Sequence, residues 1–427
     1  MDSIWQRLGI TFTEPVRDPL WGTIMLPDAF KAVLSDPEFV KLSRIMQLGP
    51  AHLVYPGATH TRRAHSIGVY AMATRVLKAI APGAGEDLIT PAGARAFLVA
   101  ALCHDVGHFP YAHSLKELPL DDHEALTARA VLGPMAGAVS RAGADPAQVA
   151  AIVDLDLAPV GSGTGLYRAL LSGVLDPDKL DYLNRDAWAC GVPYGVQDTE
   201  FILRHIMLDQ DGRPGVDERG VMAVEGVLFS KYQMYRAVYW HKSVRAATSM
   251  VKKAVMAALH AGSLDSADLY GLDDAGFYAL MSRPDRDPDN LIRRVFDGDL
   301  LQCCYEAPFD DSRSAHRKAA HLLTRPAMER ELAVMLAGSA GQPRVVIDLP
   351  EPLSFESSMN VVGSGRTFSQ SATVFRPEVV KGFAGTLRVM RVFCDLDPAQ
   401  AGPRITEVLG TTRADQPGGL DQPGGPD

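Results

Sequence analysis

Residues 101–114 read ALCHDVGHFPYAHS. The first part is apolar, yet the stretch delivers His104, Asp105, His108 and His113 within ten residues. Three imidazoles and a carboxylate are costly to bury unless each finds a partner. Upstream, TPAGARAFLVAALC (90–103) offers Thr90 as an N-cap, Pro91 at the first helical position and then an apolar run. The stretch therefore reads as the end of a buried helix. Whatever these side chains hold sits at that helix end, and other segments must come to it.

Working outward, most of the first 260 residues carry helical signals. DAFKAVL (28–34) and DPEFVKLSRIMQLG (36–49) are two short helices. RAHSIGVYAMATRVLKAI (63–80) has apolar residues at helical spacing. DDHEALTARAVLG (121–133) starts on an Asp cap and stops at Gly133, and ADPAQVAAIVDL (144–155) starts with a cap followed by Pro. DPDKLDYLNRDAWACG (176–191) is a further helix ending near Gly191. RPGVDERGVMAVEG (213–226) alternates weakly around glycines and predicts a hairpin, followed by one long helix from about Val227 to His260.

After Gly262 the texture changes. Short helices are expected in DDAGFYALMS (273–282), DPDNLIRRVFD (287–297) and RPAMERELAVMLAG (325–338). PRVVIDLP (343–350), TFSQSATVF (367–375) and TLRVMRVFCDL (386–396) carry β-branched and aromatic residues between breakers and predict strands. The expected fold is mostly α: a helical core over 1–260, a smaller α+β C-terminal lobe over 261–410, and a tail over 411–427. The tail contains DQPGG twice, and so polar a segment is expected to stay disordered.

Composition narrows the function classes. The chain of 427 residues is 47% hydrophobic and 22% charged, as globular proteins are. A formal net charge of −9 argues against a general nucleic-acid or membrane-surface protein. Five cysteines without a CxxC pair point to a reducing compartment. Neither a signal-peptide shape nor a membrane-length apolar run is evident, so a cytoplasmic location is expected.

Seven of the twelve histidines fall between His52 and His123. His104 and Asp105, being adjacent, leave the helix at different angles and can share an ion only near its end. His65 near one helix start and Asp178 at another complete a candidate set of two imidazoles and two carboxylates. Such an N/O set suits Mn, Fe, Ni, Co or Zn better than a structural zinc, which favours thiolates. An HD dipeptide alone is commonplace, and a single histidine on an apolar helix is more often a satisfied core residue. The spacing HDxxHxxxxH, with a separate HS at a helix start, argues for a site.

HTRRAHS (60–66), CHDVGH (103–108) and DPDKLDYLNRD (176–186), in that order, resemble the HD superfamily of metal-dependent phosphohydrolases. With DPLWGTIML, IMQLG, VYPGATHTRRAHSIGV, CHDVGHFPYAHS and VYWHK, the chain is similar to the deoxynucleoside triphosphate triphosphohydrolases of that superfamily over roughly residues 15–260. DYLNRDAWACGVPYG (181–195) looks most like their bacterial branch.

The resemblance implies an HD-domain helical core and an enzyme that hydrolyses dNTP to deoxynucleoside and inorganic triphosphate. It implies His65, His104, Asp105 and Asp178 as metal ligands, and His108, His113 and His123 as active-site histidines acting on the phosphate chain. Arg62, Lys179, Tyr182 and Lys231 match triphosphate contacts. Gln47 and Leu48 match residues reading the 3′-hydroxyl and crowding the 2′ position, and Asp186 and Tyr239 match the sugar pocket. It further implies a divalent transition metal, Mg on the triphosphate, and a homo-oligomer (dimer, tetramer or hexamer). Glu14, Ser35 and Ser43 stand where the vertebrate enzyme's guanine-nucleotide activator binds and do not fit that activator.

Those roles suit the side chains. A metal lowers the pKa of a bound water and polarises a phosphate oxygen. Cationic side chains offset the triphosphate charge, and imidazole, titrating near neutral pH, can protonate a leaving alkoxide. A wall at Leu48 and Tyr239 would reject a ribose hydroxyl. Other readings of the same site are a nucleoside monophosphatase, a phosphodiesterase or a non-enzymatic nucleotide sensor.

Overall fold

The computed structural model describes residues 3–85, 87–339, 341–353 and 359–410. The expected disordered tail, 411–427, lies outside the described residues. The fold is mostly helical with small sheets.

An antiparallel hairpin, β1 (Glu14–Asp18) and β2 (Gly22–Leu26), leads into the helical core. Helix α1 spans Arg62–Ile80 and α2 spans Pro91–Cys103. Thr61 caps α1 by accepting from Ala64 N at 3.4 Å, and Thr90 caps α2 by accepting from Gly93 N at 3.1 Å. Every residue of α2 from Ala96 to Cys103 is buried, so it is the central helix of the core. Each large side chain it buries, such as Phe97, contributes about 1.5–3 kcal/mol.

Helix α3 (His123–Leu132) packs beside α4 (Pro146–Val153), and α5 (Pro177–Cys190) packs along α1. Asp176 caps α5 through Lys179 N at 2.7 Å, with Pro177 at its first turn and Gly191 in the left-handed region closing it. These local signals therefore act as the sequence predicts. His65 and Asp178 sit in the first turns of α1 and α5, which brings their side chains to one end of the bundle.

Three expectations need correction. The hairpin begins upstream of 213–226 and takes in only its first residues: β3 (Ile206–Leu208) pairs with β4 (Pro214–Val216), while Val221 already opens a helix. The single long helix is two, α6 (Val221–Met234) and α7 (Lys242–Ala261), separated by a π turn over Tyr235–Tyr239 and by His241, which caps α7. The wider turn follows from tertiary demand, because it turns Tyr239 onto Asp186. Third, of 367–375 only Thr367 lies in a strand; Phe368–Gln370 form a 3₁₀ turn, with irregular backbone after it.

The C-terminal sheet is antiparallel in the order β5 (Gln302–Pro308), β9 (Val389–Cys394), β6 (Val345–Asp348). Between β6 and β9 the chain returns to the helical core. There β7 (Asn360–Val361) adds parallel to β4, and β8 (Arg366–Thr367) pairs antiparallel with β7. Val361, Phe368, Phe375 and Leu387 join the first hydrophobic core, so the chain crosses the division near residue 260. No described helix is long and apolar enough to cross a membrane.

Candidate active site

A cavity of about 740 Å³ opens where α1, α2 and α5 meet the α6–α7 break. All the candidate residues except His108 line it: Gln47, Leu48, Arg62, His65, His104, Asp105, His113, His123, Asp178, Lys179, Tyr182, Asp186, Lys231 and Tyr239. His108 is fully buried behind the wall.

The donor atoms of His65, His104 and Asp178 lie within 4.8 Å of one another. His65 Nε2 is 2.9 Å from Asp178 Oδ1 and 3.9 Å from Asp105 Oδ2, and His104 Nε2 is 3.4 Å from Asp105 Oδ1. Two imidazoles and two carboxylates thus converge on one spot, an N/O set that fits a divalent transition ion. His104 gives an independent sign. Its Nδ1 is engaged by Ala101 O at 3.0 Å, while its Nε2 is buried without a hydrogen-bond partner. A buried nitrogen without a partner is what a ligand position looks like when the protein alone is drawn.

Asp181, missed in the sequence, sits behind His65. Its Oδ2 is 2.9 Å from His65 Nδ1, while Arg185 Nε (2.8 Å), Arg185 Nη2 (2.9 Å) and Trp21 Nε1 (2.5 Å) donate to the same carboxylate. Arg185 Nη1 also reaches Asp18 at 2.9 Å. With Nδ1–H held by Asp181, His65 turns Nε2 toward Asp178, and a bound ion would take Nε2 in place of its proton, so Asp181 sets the tautomer a ligand needs. The available signal was spacing: Asp181 is three residues after Asp178 and shares its helix face.

Electrostatics divide the histidines. Burial opposes protonation of His65, but Asp178 and Asp181 outweigh it and raise its pKa to about 10. Against the same burial, Asp105 and Asp178 raise His104. His108 and His123 are lowered well below their ordinary value by burial and by neighbouring cations, Arg62 among them. His113 opens to the cavity, yet protein encloses it enough that burial and Arg62 bring it down to about 4. Its position depends on Tyr111, held in the left-handed region at φ 64°, which turns the chain so that His113 Nε2 comes 3.1 Å from His108 Nε2. The rings of His108 and His123 are 3.9 Å apart at their centroids. These three histidines form a second cluster, one in which burial and Arg62 disfavour the charged form.

The basic residues are less free than their placement in the sequence implied. Arg62 Nη1 donates to Asp105 Oδ2 at 2.7 Å, and Lys179 Nζ to Asp176 Oδ2 at 2.6 Å and Gly173 O at 2.9 Å. Lys116, absent from the expected set, also lines the cavity, and its charge adds to the lowering of His113. On the opposite wall Tyr239 O–H donates to Asp186 Oδ2 at 2.7 Å, beside Tyr182, Gln47 and Leu48.

Comparison with known proteins adds the following. Residues 197–374 match the family model described as HD associated region. An uncharacterised protein of Methanocaldococcus jannaschii is 31% identical over 269 residues, covering 62% of this chain and 54% of that protein. The uncharacterised YwfO of Bacillus subtilis is 37% identical over 220 residues, 51% of this chain and 49% of its own. Deoxynucleoside triphosphate triphosphohydrolase SAMHD1 of Danio rerio is 27% identical over 290 residues, 59% of this chain and 47% of its own. The chain thus spans about half the length of the curated relatives it matches. Among solved structures, a hypothetical protein from Aquifex aeolicus superposes with a TM-score of 0.69 at 22% identity, over 92% of this chain and 99% of that one. A phosphohydrolase from Bacteroides thetaiotaomicron does so with 0.68 at 20%, over 90% and 100%. Those two likenesses carry the fold alone; the matched region and the SAMHD1 relative are what liken the chain to HD-domain phosphohydrolases.

Proposed function

We propose that the chain is a metal-dependent hydrolase of deoxynucleoside triphosphates, releasing the deoxynucleoside and inorganic triphosphate. One observation carries the reading. A single cavity is lined by the N/O cluster of His65, His104, Asp105 and Asp178, by His113 and His123, by Arg62, Lys179 and Lys231, and by Gln47, Leu48, Asp186 and Tyr239. The SAMHD1 relatives, named for this activity, support it.

His65, His104, Asp105 and Asp178 would hold the ion. When bound, it supplies Lewis-acid polarisation of a phosphate oxygen and a water of lowered pKa. The chain's own residues do the rest. Arg62, Lys179, Lys231 and Tyr182, which line the cavity, would face the phosphates, and Gln47, Leu48, Asp186 and Tyr239 would face the sugar. Water oxygen joins the α-phosphorus and gives its proton to solvent, the bond to the nucleoside 5′-oxygen breaks, and that oxygen takes a proton from a charged histidine.

Burial and Arg62 disfavour the charged forms of His108, His113 and His123, so protonation is expected to accompany substrate binding. A polyanion beside an imidazole favours its charged form, and triphosphate binding therefore raises these pKa values toward the working range. That makes the cluster a general acid only when the cavity is filled.

A shorter phosphate ester is the second reading, favoured by the engagement of Arg62 by Asp105 and of Lys179 by Asp176. One experiment separates the two. Mn²⁺-loaded protein is incubated with each dNTP, NTP and dNMP, and every product is identified by chromatography. Tripolyphosphate from dNTPs is expected. Orthophosphate or pyrophosphate alone, or faster turnover of dNMP, overturns the first reading.

A further inference from the structure

The sugar-side residues meet at a histidine that stands behind them. His60 belongs to a short antiparallel contact in which Gln47 N donates to His60 O at 3.0 Å, Arg62 N donates to Ile45 O at 3.0 Å, and Met46 opposes Thr61. Its ring turns the other way. His60 Nε2 lies 2.8 Å from Asp186 Oδ1, and Asp186 Oδ2 accepts from Tyr239 O–H at 2.7 Å.

An ionised carboxylate has no proton to offer, so His60 Nε2 carries the hydrogen in this pair. The His60 side chain is 8% exposed and that of Asp186 is 3% exposed, so water has little room to replace the donor. Gln47 Oε1 is buried without a partner, on the cavity wall. It is an acceptor waiting for a hydroxyl.

We infer that His60 is the positioning residue of the sugar subsite. Its backbone fixes Gln47 and its ring fixes Asp186, which in turn fixes Tyr239. The three polar groups that would meet a sugar hydroxyl are therefore set by one residue that does not touch the substrate. The inference rests on the dNTP reading above, and names the hydroxyl at the 3′ carbon as the group that reports it. With both carboxylate oxygens of Asp186 anchored, the spare lone pairs keep fixed directions, and the hydroxyl's single hydrogen goes either to Asp186 or to Gln47 Oε1 across the pocket. Without the His60 donor, a buried carboxylate oxygen loses its partner and must turn to find another.

The test compares wild type, His60→Gln and His60→Leu for tripolyphosphate release from a dNTP and from the matching 2′,3′-dideoxynucleotide. The glutamine keeps a side-chain N–H donor, and the leucine keeps only bulk. In His60→Leu, KM for the dNTP is expected to rise about tenfold or more while kcat changes less, and the preference for dNTP over dideoxynucleotide to fall about tenfold. His60→Gln is expected to restore most of that preference. Equal losses on both substrates, or an unchanged preference, overturn the inference while leaving the dNTP reading intact. Wild-type protein that releases no tripolyphosphate overturns both. Thermal melting accompanies each variant, and if His60→Leu does not fold, His60→Asn, whose amide falls short of Asp186, replaces it with the same expected and overturning results.

Discussion

Replacing Asp181 by asparagine changes one atom's chemistry with almost no change of shape, and the structure says what that should cost. Four donors address this buried carboxylate: Trp21 Nε1, Arg185 Nε, Arg185 Nη2 and His65 Nδ1. Asparagine keeps one acceptor oxygen and turns an N–H₂ group toward two of them. Removing one side of a buried pair costs about 3–5 kcal/mol. Arg185 keeps Asp18 at 2.9 Å, so the lower end, about 3 kcal/mol, is expected. His65 suffers differently. To accept from the new amide it must shed its Nδ1 hydrogen and carry it on Nε2, the atom facing Asp178. Loss of such an orienting partner weakens ion binding about 10- to 100-fold. The assays are urea unfolding of the ion-free protein and equilibrium dialysis against Mn²⁺ with elemental analysis. An Asp181→Asn protein that unfolds at the native midpoint and binds Mn²⁺ within about twofold of wild type would refute the reasoning.

Asp178→Ala is expected to abolish both Mn²⁺ retention on dialysis and hydrolysis, and normal metal content would remove Asp178 from the ligand set. A methyl at Gly68 would collide with Asp181 Oδ1 and Arg185 Nη2, so Gly68→Ala should lower stability by at least about 1–3 kcal/mol in denaturant titration; a neutral result would show that α1 and α5 can part freely. Asp348 is buried between Arg245 and Ser249 (2.8 Å); burial would raise its pKa, but Arg245 outweighs that and holds it below its ordinary 3.8. Its contribution is therefore complete above pH 3.8 and fades as pH falls through the lower folded value, so the stability gap between wild type and Asp348→Asn should be about 3 kcal/mol near neutrality and shrink in acid. A gap that widened in acid would contradict that sign.

What was legible in the sequence was local. Thr90–Pro91, Asp145–Pro146 and Asp176–Pro177 each announce a helix through a cap, a proline and an apolar run, and each helix is there. The α6–α7 break was not legible, because apolar spacing continues through YRAVYWHK and the reason for the π turn lies on another helix, at Asp186. For the same reason β5 was missed: Cys303–Cys304 sits at an irregularity in its pairing with β9, and nothing near it in the chain marks a strand. The candidate site follows the same rule. Residues within dense motifs could be picked out, whereas His60 and Asp181 look like ordinary neighbours of those motifs until the fold places them behind Asp186 and His65.

Burial acts on all five histidines around Asp105, yet they end up in opposite states, and the reason lies in what stands beside them. Asp178, Asp181 and Asp105 make the His65–His104 end attractive to positive charge, first protons and then any cation that displaces them. Arg62 makes the His108–His113–His123 end hostile to positive charge, and so receptive to an anion. The 2.7 Å bond between Arg62 and Asp105 is the border between the two. A cation held by His65, His104, Asp105 and Asp178 would compete with Arg62 for Asp105 and so leave Arg62 freer to meet an anion. Under the proposed function, the two fields would favour a cation and a polyanion together more than either alone.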